Sequence, residues 1–144
     1  MKTHILPLLL IVVISISLYA NTLKNGFVYD DTVTIVKNLL IKDVNNLSGL
    51  VSKETYFALS GESSYRPFAT FTYFVDYALY GLKPWGYHLT NVLLHTVNCV
   101  LFYIFLTLLF QSSVVNETRP IRTRLFNNKH FIMSFLFTIH PVLT

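Results

Sequence analysis

The sequence predicts an all-α membrane protein, a fragment of a polytopic helical bundle with a large outer loop that carries short amphipathic helices. Three observations lead there. Of 144 residues, 53% are hydrophobic and 12% are charged, about half the charge content of an average soluble domain. Two stretches free of Asp, Glu, Lys and Arg are long enough to cross ~30 Å of hydrocarbon as helices. A third apolar run is still continuing at Val142, near the end of the sequence, so the chain is expected to be the N-terminal fragment of a longer protein.

The first span is predicted over residues 3–23, since no charge falls between Lys2 and Lys24. A signal peptide would also offer Lys2, an apolar run and a small residue at Ala20. Leu18, however, stands three positions before the expected cleavage point, and the later spans favour an uncleaved anchor. Residues 24–86 form the outer loop, where six acids face six bases. Within it, residues 67–80 place Phe68, Phe71, Val75, Ala78 and Leu79 at helical spacing. That stretch is too short to span and contains Asp76, which predicts an interfacial helix. Residues 32–40, entered through Asp30 and Asp31, are a second short helical candidate.

The second span is predicted over residues 87–110. Pro84 suits its opening turn, and Trp85 and Tyr87 suit the headgroup level. Residues 111–129 form a short loop in which Arg119, Arg122, Arg124 and Lys129 oppose only Glu117. Such a positive excess marks the cytoplasmic side. The N-terminus is then cytoplasmic as well, and residues 130–144 begin a third span. Of two glycosylation sequons, Asn46-Leu47-Ser48 falls outside and Asn116-Glu117-Thr118 inside. The net charge of +4 is scattered rather than interleaved with aromatic residues along a groove, which excludes nucleic acid as a partner. A single cysteine, Cys99, excludes a disulfide framework within the chain.

Four constellations bear on chemistry. Phe27-Val28-Tyr29-Asp30-Asp31 follows the first span closely, so two carboxylates sit beside the outer membrane face. One Asp alone reads as a helix cap. A pair in a partly desolvated place reads as a general base. In the second span, His88, Asn91, His95 and Asn98 fall within ~80° of one another at 100° per residue. The stripe is expected to turn inward, either into a wet cavity or into interhelical hydrogen bonds. His88 and His95 alone make a poor metal site for want of a third ligand. Arg66, between Tyr65 and Pro67, is a natural partner for a phosphate or a carboxylate. His140-Pro141 marks a cavity liner or a hinge in the third span.

Taken in order, Asp-Asp after span one, Tyr-Arg-Pro, Gly-Tyr-His-Leu-Thr-Asn-Val-Leu-Leu-His entering span two, and His-Pro-Val-Leu-Thr resemble the transmembrane and tetratricopeptide-repeat O-mannosyltransferase-like family. That family is related to the protein O-mannosyltransferases of the GT-C superfamily, and the resemblance runs from about Phe27 to Thr144. It implies a GT-C type bundle of many helices, usually with a repeat domain outside the membrane, in a bacterial inner membrane or the endoplasmic reticulum. It further implies a polyprenyl- or dolichyl-phosphate-linked mannose donor and a protein Ser or Thr hydroxyl as acceptor. Asp30 and Asp31 would be catalytic. Arg66, His88, Asn91, His95 and His140 would line the donor phosphate cavity. Charge on the leaving phosphate is expected to be offset by Arg66, by His88 or by a divalent ion, manganese or magnesium, held by Asp30 and Asp31. The competing reading is a non-catalytic membrane anchor of a tetratricopeptide-repeat scaffold.

Overall fold

The computed structural model describes residues 5–113 and 129–140. Most of the predicted cytoplasmic loop, with Asn116, Arg119, Arg122 and Arg124, lies outside the described residues, as does Pro141. Five α-helices occur among the described residues: α1 (Ile5–Tyr19), α2 (Lys53–Ser60), α3 (Pro67–Tyr80), α4 (Pro84–Ser113) and α5 (Lys129–Ile139). No strand occurs among the described residues. They separate into two compact units, Leu23–Thr90 and the remainder.

In the unit outside 23–90, α1 continues through a 3₁₀ turn over Ala20–Lys24. The stretch Ile5–Lys24, 20 residues, is long and apolar enough to cross a membrane, as is Pro84–Phe110, 27 residues. A core helix of a soluble protein would hide most of such a surface. Here only a third of the best window of Pro84–Phe110 is buried, and less of α1. Ile5, Leu6, Leu9, Leu10, Val13 and Ile16 all point outward from α1. Uniformly apolar, outward-facing surface of this kind is suited to lipid and unfavourable in water. The inner faces meet around Ile11, Cys99 and Tyr103, with Leu8, Val100 and Phe131 packed against them. The helix predicted over 130–144 is seen as α5, 11 residues long within the described part.

The Leu23–Thr90 unit contains residues 24–86. Its core gathers Ile35, Leu40, Ile41, Leu50, Tyr56, Phe74 and Tyr87. A helix forms over the residues predicted, 67–80, as α3. Pro67 pre-sets the first turn, and Gly81 ends the helix with φ +61, donating its N–H to the Tyr77 carbonyl at 2.8 Å. Gly86 is dictated by a different need, because a Cβ there would collide with the Tyr80 ring.

Two expectations differ from the structure. Residues 32–40 do not make one helix but a π-helical turn over Thr32–Val36 and a 3₁₀ turn over Leu40–Lys42. The break follows from Asn38, fully buried, whose side-chain carbonyl takes the Leu40 N–H at 2.9 Å and whose amide donates to the Thr34 carbonyl at 3.0 Å. A side chain that serves the backbone in this way replaces the next helical hydrogen bonds. The second difference is α2, which was not expected. Ser52 caps it by accepting from the Thr55 N–H, and Gly61 closes it with φ +68.

Candidate functional site

The segment after α1 turns sharply at 28–31. The Asp31 N–H donates to the Val28 carbonyl at 3.0 Å, and the Asp31 carboxylate accepts from the Val28 N–H at 3.1 Å. Tyr29 holds φ +46 between them, the only non-glycine residue with positive φ among the described residues. Left-handed backbone at a bulky residue costs about 1–2 kcal/mol and is characteristic of tightly constrained sites. The capping role is not what this turn provides. Asp31 stands at the N-cap of the Thr32–Val36 turn and makes no side-chain capping bond.

Asp30 instead points at Arg66, with Oδ2 3.6 Å from the guanidinium Nη2. The same nitrogen lies 3.0 Å from Glu62 Oε2. Arg66 thus bridges two acids of opposite character. Glu62 has a side chain 2% exposed, whereas that of Asp30 is 66% exposed. The buried carboxylate is held from within by Asn38 Nδ2 at 3.4 Å and Thr70 Oγ1 at 3.5 Å. Thr70 in turn shares a 2.7 Å hydrogen bond with the Tyr56 hydroxyl, which accepts from the Arg66 N–H at 3.3 Å.

Burial lowers the Arg66 pKa, but the hydrogen bond to Glu62 and the charges of Glu62 and Asp30 outweigh it, leaving the pKa raised. Burial raises the Tyr56 and Tyr73 hydroxyls. Tyr73 also lies in the electrostatic field of Arg66, Asp31, Glu62 and Asp30 and therefore presents a neutral O–H beside them.

The site so built is an arginine fixed on one side by a buried acid and open on the other, beside an exposed aspartate. Within this unit Asp30 is exposed and Asp31 half-buried. Phe27 packs edge-on against the Tyr87 ring at 5.3 Å, which anchors the turn to the first residues of α4. There the Nε2 of His88 is buried and has no hydrogen-bond partner among the described residues, an arrangement that costs about 1–3 kcal/mol unless a partner arrives.

Magnesium and manganese are often bound by one or two carboxylates completed by water and substrate phosphate. Asp30 and Asp31 supply a partial set of that kind. No group of three or more His, Cys, Asp or Glu side chains is placed to hold a metal among the described residues.

Asn91, His95 and His140 belong to the other unit. His95 is buried, its Nε2 3.4 Å from the Thr138 carbonyl and 3.5 Å from Cys99 Sγ, with the Tyr19 ring edge-on at 4.9 Å. It serves interhelical packing. Asn91 and Asn98 are exposed on this unit rather than turned inward with it. His140 is exposed, and its carbonyl accepts from the Tyr19 hydroxyl at 2.9 Å.

Sequence reasoning singled out Asp30, Asp31 and Arg66 and missed Glu62, Asn38, Thr70 and Tyr73. The single available signal was an acid four residues before Arg66. That spacing marks a contact on a helix, and 61–66 is not helical.

An α-helical chain with two helices long and apolar enough to cross a membrane has the character of a membrane protein. Sequence relatives agree. The chain is 31% identical over 141 residues to the protein O-mannosyl-transferase F38B6.6 of Caenorhabditis elegans, covering 95% of this chain and 19% of the relative. It is 30% identical to Tmtc3 of Drosophila melanogaster, covering 99% of this chain and 16% of the relative. Human TMTC3 is 31% identical, with 94% and 14% covered. The chain belongs to the O-mannosyltransferase-like family of these TMTC proteins. It spans less than a fifth of their length. No family model matches the chain, and no solved structure matches it.

Proposed function

We propose that the chain is the N-terminal part of a GT-C type glycosyltransferase that moves mannose, or another hexose, from a polyprenyl- or dolichyl-phosphate-linked donor to Ser or Thr hydroxyls of proteins at the outer or lumenal membrane face. The observation that carries this reading is the Asp30–Arg66–Glu62 arrangement, in a chain whose relatives are named protein O-mannosyl-transferases. In the proposed reaction a carboxylate of Asp30 or Asp31 takes the acceptor hydroxyl proton as its oxygen attacks the anomeric carbon. The lipid phosphate departs with the bonding pair. Because Glu62 already neutralises one side of Arg66, the open side is left to exchange Asp30 for a phosphate oxygen as charge grows there. The orphaned His88 Nε2 offers a second polar contact. A divalent ion held by Asp30 and Asp31 would add Lewis-acid neutralisation of the same phosphate.

The test is Asp30→Asn and Asp31→Asn, separately and together, in the full-length protein, assayed for mannose transfer from the lipid-linked donor to a Ser/Thr peptide. Loss of a proton-transfer residue should reduce turnover by roughly 10²–10⁴-fold, with membrane insertion unchanged. Turnover within twofold of the parent in the double variant would remove the Asp pair from the chemistry, and no transfer by the parent itself would favour the membrane-anchor reading. One contact speaks for that alternative: the Asp31 carboxylate is committed to the backbone of its own turn.

A further inference from the structure

Tyr73 is half-buried and packed on the core of the Leu23–Thr90 unit, yet its hydroxyl is uncommitted. Other tyrosines of that core bond theirs within the protein: Tyr56 to Thr70 at 2.7 Å, Tyr65 to the Leu50 carbonyl at 2.6 Å and Tyr87 to the Gly81 carbonyl at 2.9 Å. The Tyr73 hydroxyl makes no hydrogen bond among the described residues. Tyr77, one turn further along α3, borders an apolar groove with Phe71, Phe74 and Val75. Tyr73 lies instead in the field of one guanidinium and three carboxylates, those of Arg66, Asp31, Glu62 and Asp30. Helix geometry puts it there. Phe68, Phe71, Val75 and Leu79 are exposed on the outward side of α3, and at 100° per residue Thr70 and Tyr73 fall together roughly 180° away from them. Thr70 meets the ionic site directly, its Oγ1 3.5 Å from Glu62 Oε1, and Tyr73 follows on the same face of the helix. The Tyr73 ring is backed by that of Tyr87 at 6.3 Å, which meets Phe27 at 5.3 Å, just ahead of the turn that carries Asp30 and Asp31.

We infer that the Tyr73 hydroxyl binds a hydroxyl group of the transferred hexose, an assignment that rests on the transferase reading above. In a single displacement the hexose lies between the departing phosphate and the attacking oxygen. Arg66 is the partner of the first and Asp30 or Asp31 of the second, so a group in the field of all three stands beside the sugar itself. Charge selects the sugar over the phosphate. Three carboxylates against one guanidinium leave a negative surplus around Tyr73, which opposes a further anion there and leaves an uncharged hydroxyl unopposed. Burial keeps the phenol neutral, so it both donates and accepts, as a sugar hydroxyl does. The acceptor Ser or Thr is the poorer match, because its proton goes to the aspartate and its oxygen to the anomeric carbon. The hexose brings several hydroxyls that the reaction leaves untouched.

The experiment uses Tyr73→Phe in the full-length protein, which keeps the ring against Tyr87 and removes the hydroxyl. Values of kcat/KM are measured with mannosyl polyprenyl phosphate and with each of its monodeoxy derivatives, one for every free sugar hydroxyl, against one Ser/Thr peptide. Loss of a neutral hydrogen bond should lower kcat/KM for the complete donor by roughly fivefold, whereas the derivative that lacks the bonded hydroxyl should change by less than about twofold. The thermal midpoint should be unaltered, since no bond within the protein is lost. Equal loss with every donor, or loss with none, would overturn the assignment and leave the transferase reading in place. A lowered midpoint would show the hydroxyl bonded within the protein and would overturn it as well. A parent protein that transfers from none of these donors would instead overturn the transferase reading, and this assignment with it.

Discussion

The Leu23–Thr90 unit and the unit around α1 and α5 both bury polar side chains, but of different kinds. In the first, the buried groups include the carboxylates of Glu62 and Asp76. In the second, they are the hydroxyls of Ser15, Thr96, Ser134 and Thr138 and the imidazole of His95. The hydroxyls largely answer themselves: Thr96 donates to the Val92 carbonyl, Ser134 to that of His130 and Thr138 to that of Ser134, each at 2.8 Å along its own helix. Such back-bonding needs no partner helix and leaves nothing unsatisfied in hydrocarbon. A carboxylate has no donor of its own when ionised and must be supplied with several. The Leu23–Thr90 unit gathers them for Glu62 from Asn38, Arg66 and Thr70. Among the described residues the buried carboxylates are thus found in the unit that assembles partners for them.

The strongest way to break that arrangement is Glu62→Leu. It leaves the Arg66 guanidinium without its closer partner, while Asn38 keeps the Thr34 carbonyl and Thr70 that of Arg66 as acceptors. Removing one member of a wholly buried ion pair costs about 3–5 kcal/mol; here Arg66 is 43% exposed and keeps Asp30 at 3.6 Å, so the cost is smaller than that. The thermal midpoint of the full-length protein in detergent should fall sharply, and Arg66→Met added to Glu62→Leu should restore much of it. A midpoint unchanged by Glu62→Leu would mean that the pair is not buried in solution.

How much of this was legible in the sequence depended on whether the determinant was local. Pro67 and Gly81 punctuate α3, and its apolar spacing is regular, so its bounds and its outward stripe follow from residues 67–82 alone. The two long apolar stretches likewise declare themselves by composition. Glu62 could not be recognised that way. Its meaning comes from Asn38, 24 residues earlier, and Thr70, 8 residues later, and nothing in the local pattern announces them. The inward turn expected of Asn91 and Asn98 failed for a related reason. Angular position on a helix ranks residues by face, but which face is covered is decided by the neighbouring helices, and here the covered face is centred on Val92, His95, Thr96, Cys99 and Tyr103.

Asp76 sharpens the comparison through pH. Burial raises its pKa above the ordinary carboxyl value, partly countered by the hydrogen bond from Thr90. The folded state therefore holds this proton more tightly than the unfolded state. Stability is greatest below the ordinary carboxyl pKa and declines as pH rises through the raised value, after which it is level. Asp76→Asn keeps an oxygen for the Thr90 hydroxyl and removes the ionisation. The variant should lose this downward slope and be the more stable protein at neutral pH, read from unfolding midpoints between pH 4 and pH 8. A variant less stable than the parent at pH 7 would show that the carboxylate is charged and partnered, as Glu62 is. The effect should be smaller than that of Glu62→Leu, because a carboxyl with a raised pKa escapes part of its burial cost by taking up a proton.

The smallest effect is expected where polarity is neutral. Ser15 Oγ on α1 and Thr96 Oγ1 on α4 share a buried hydrogen bond of 2.9 Å, a direct polar link between these two helices in their unit. Thr96 already donates to the Val92 carbonyl, so its single proton is committed and Ser15 must be the donor. Ser15→Ala consequently removes one bond without stranding a donor, and Thr96 keeps its place in its own helix. Interhelical hydrogen bonds in membranes average about 0.6 kcal/mol, so the variant should shift the unfolding midpoint only slightly. Thr96→Val should do more, since it takes the acceptor away and leaves the buried Ser15 hydroxyl to find a carbonyl on α1. If Ser15→Ala proved as damaging as Glu62→Leu, the two units would not differ in how they hold polar groups, and the placing of the buried carboxylates in the Leu23–Thr90 unit would lose its physical basis.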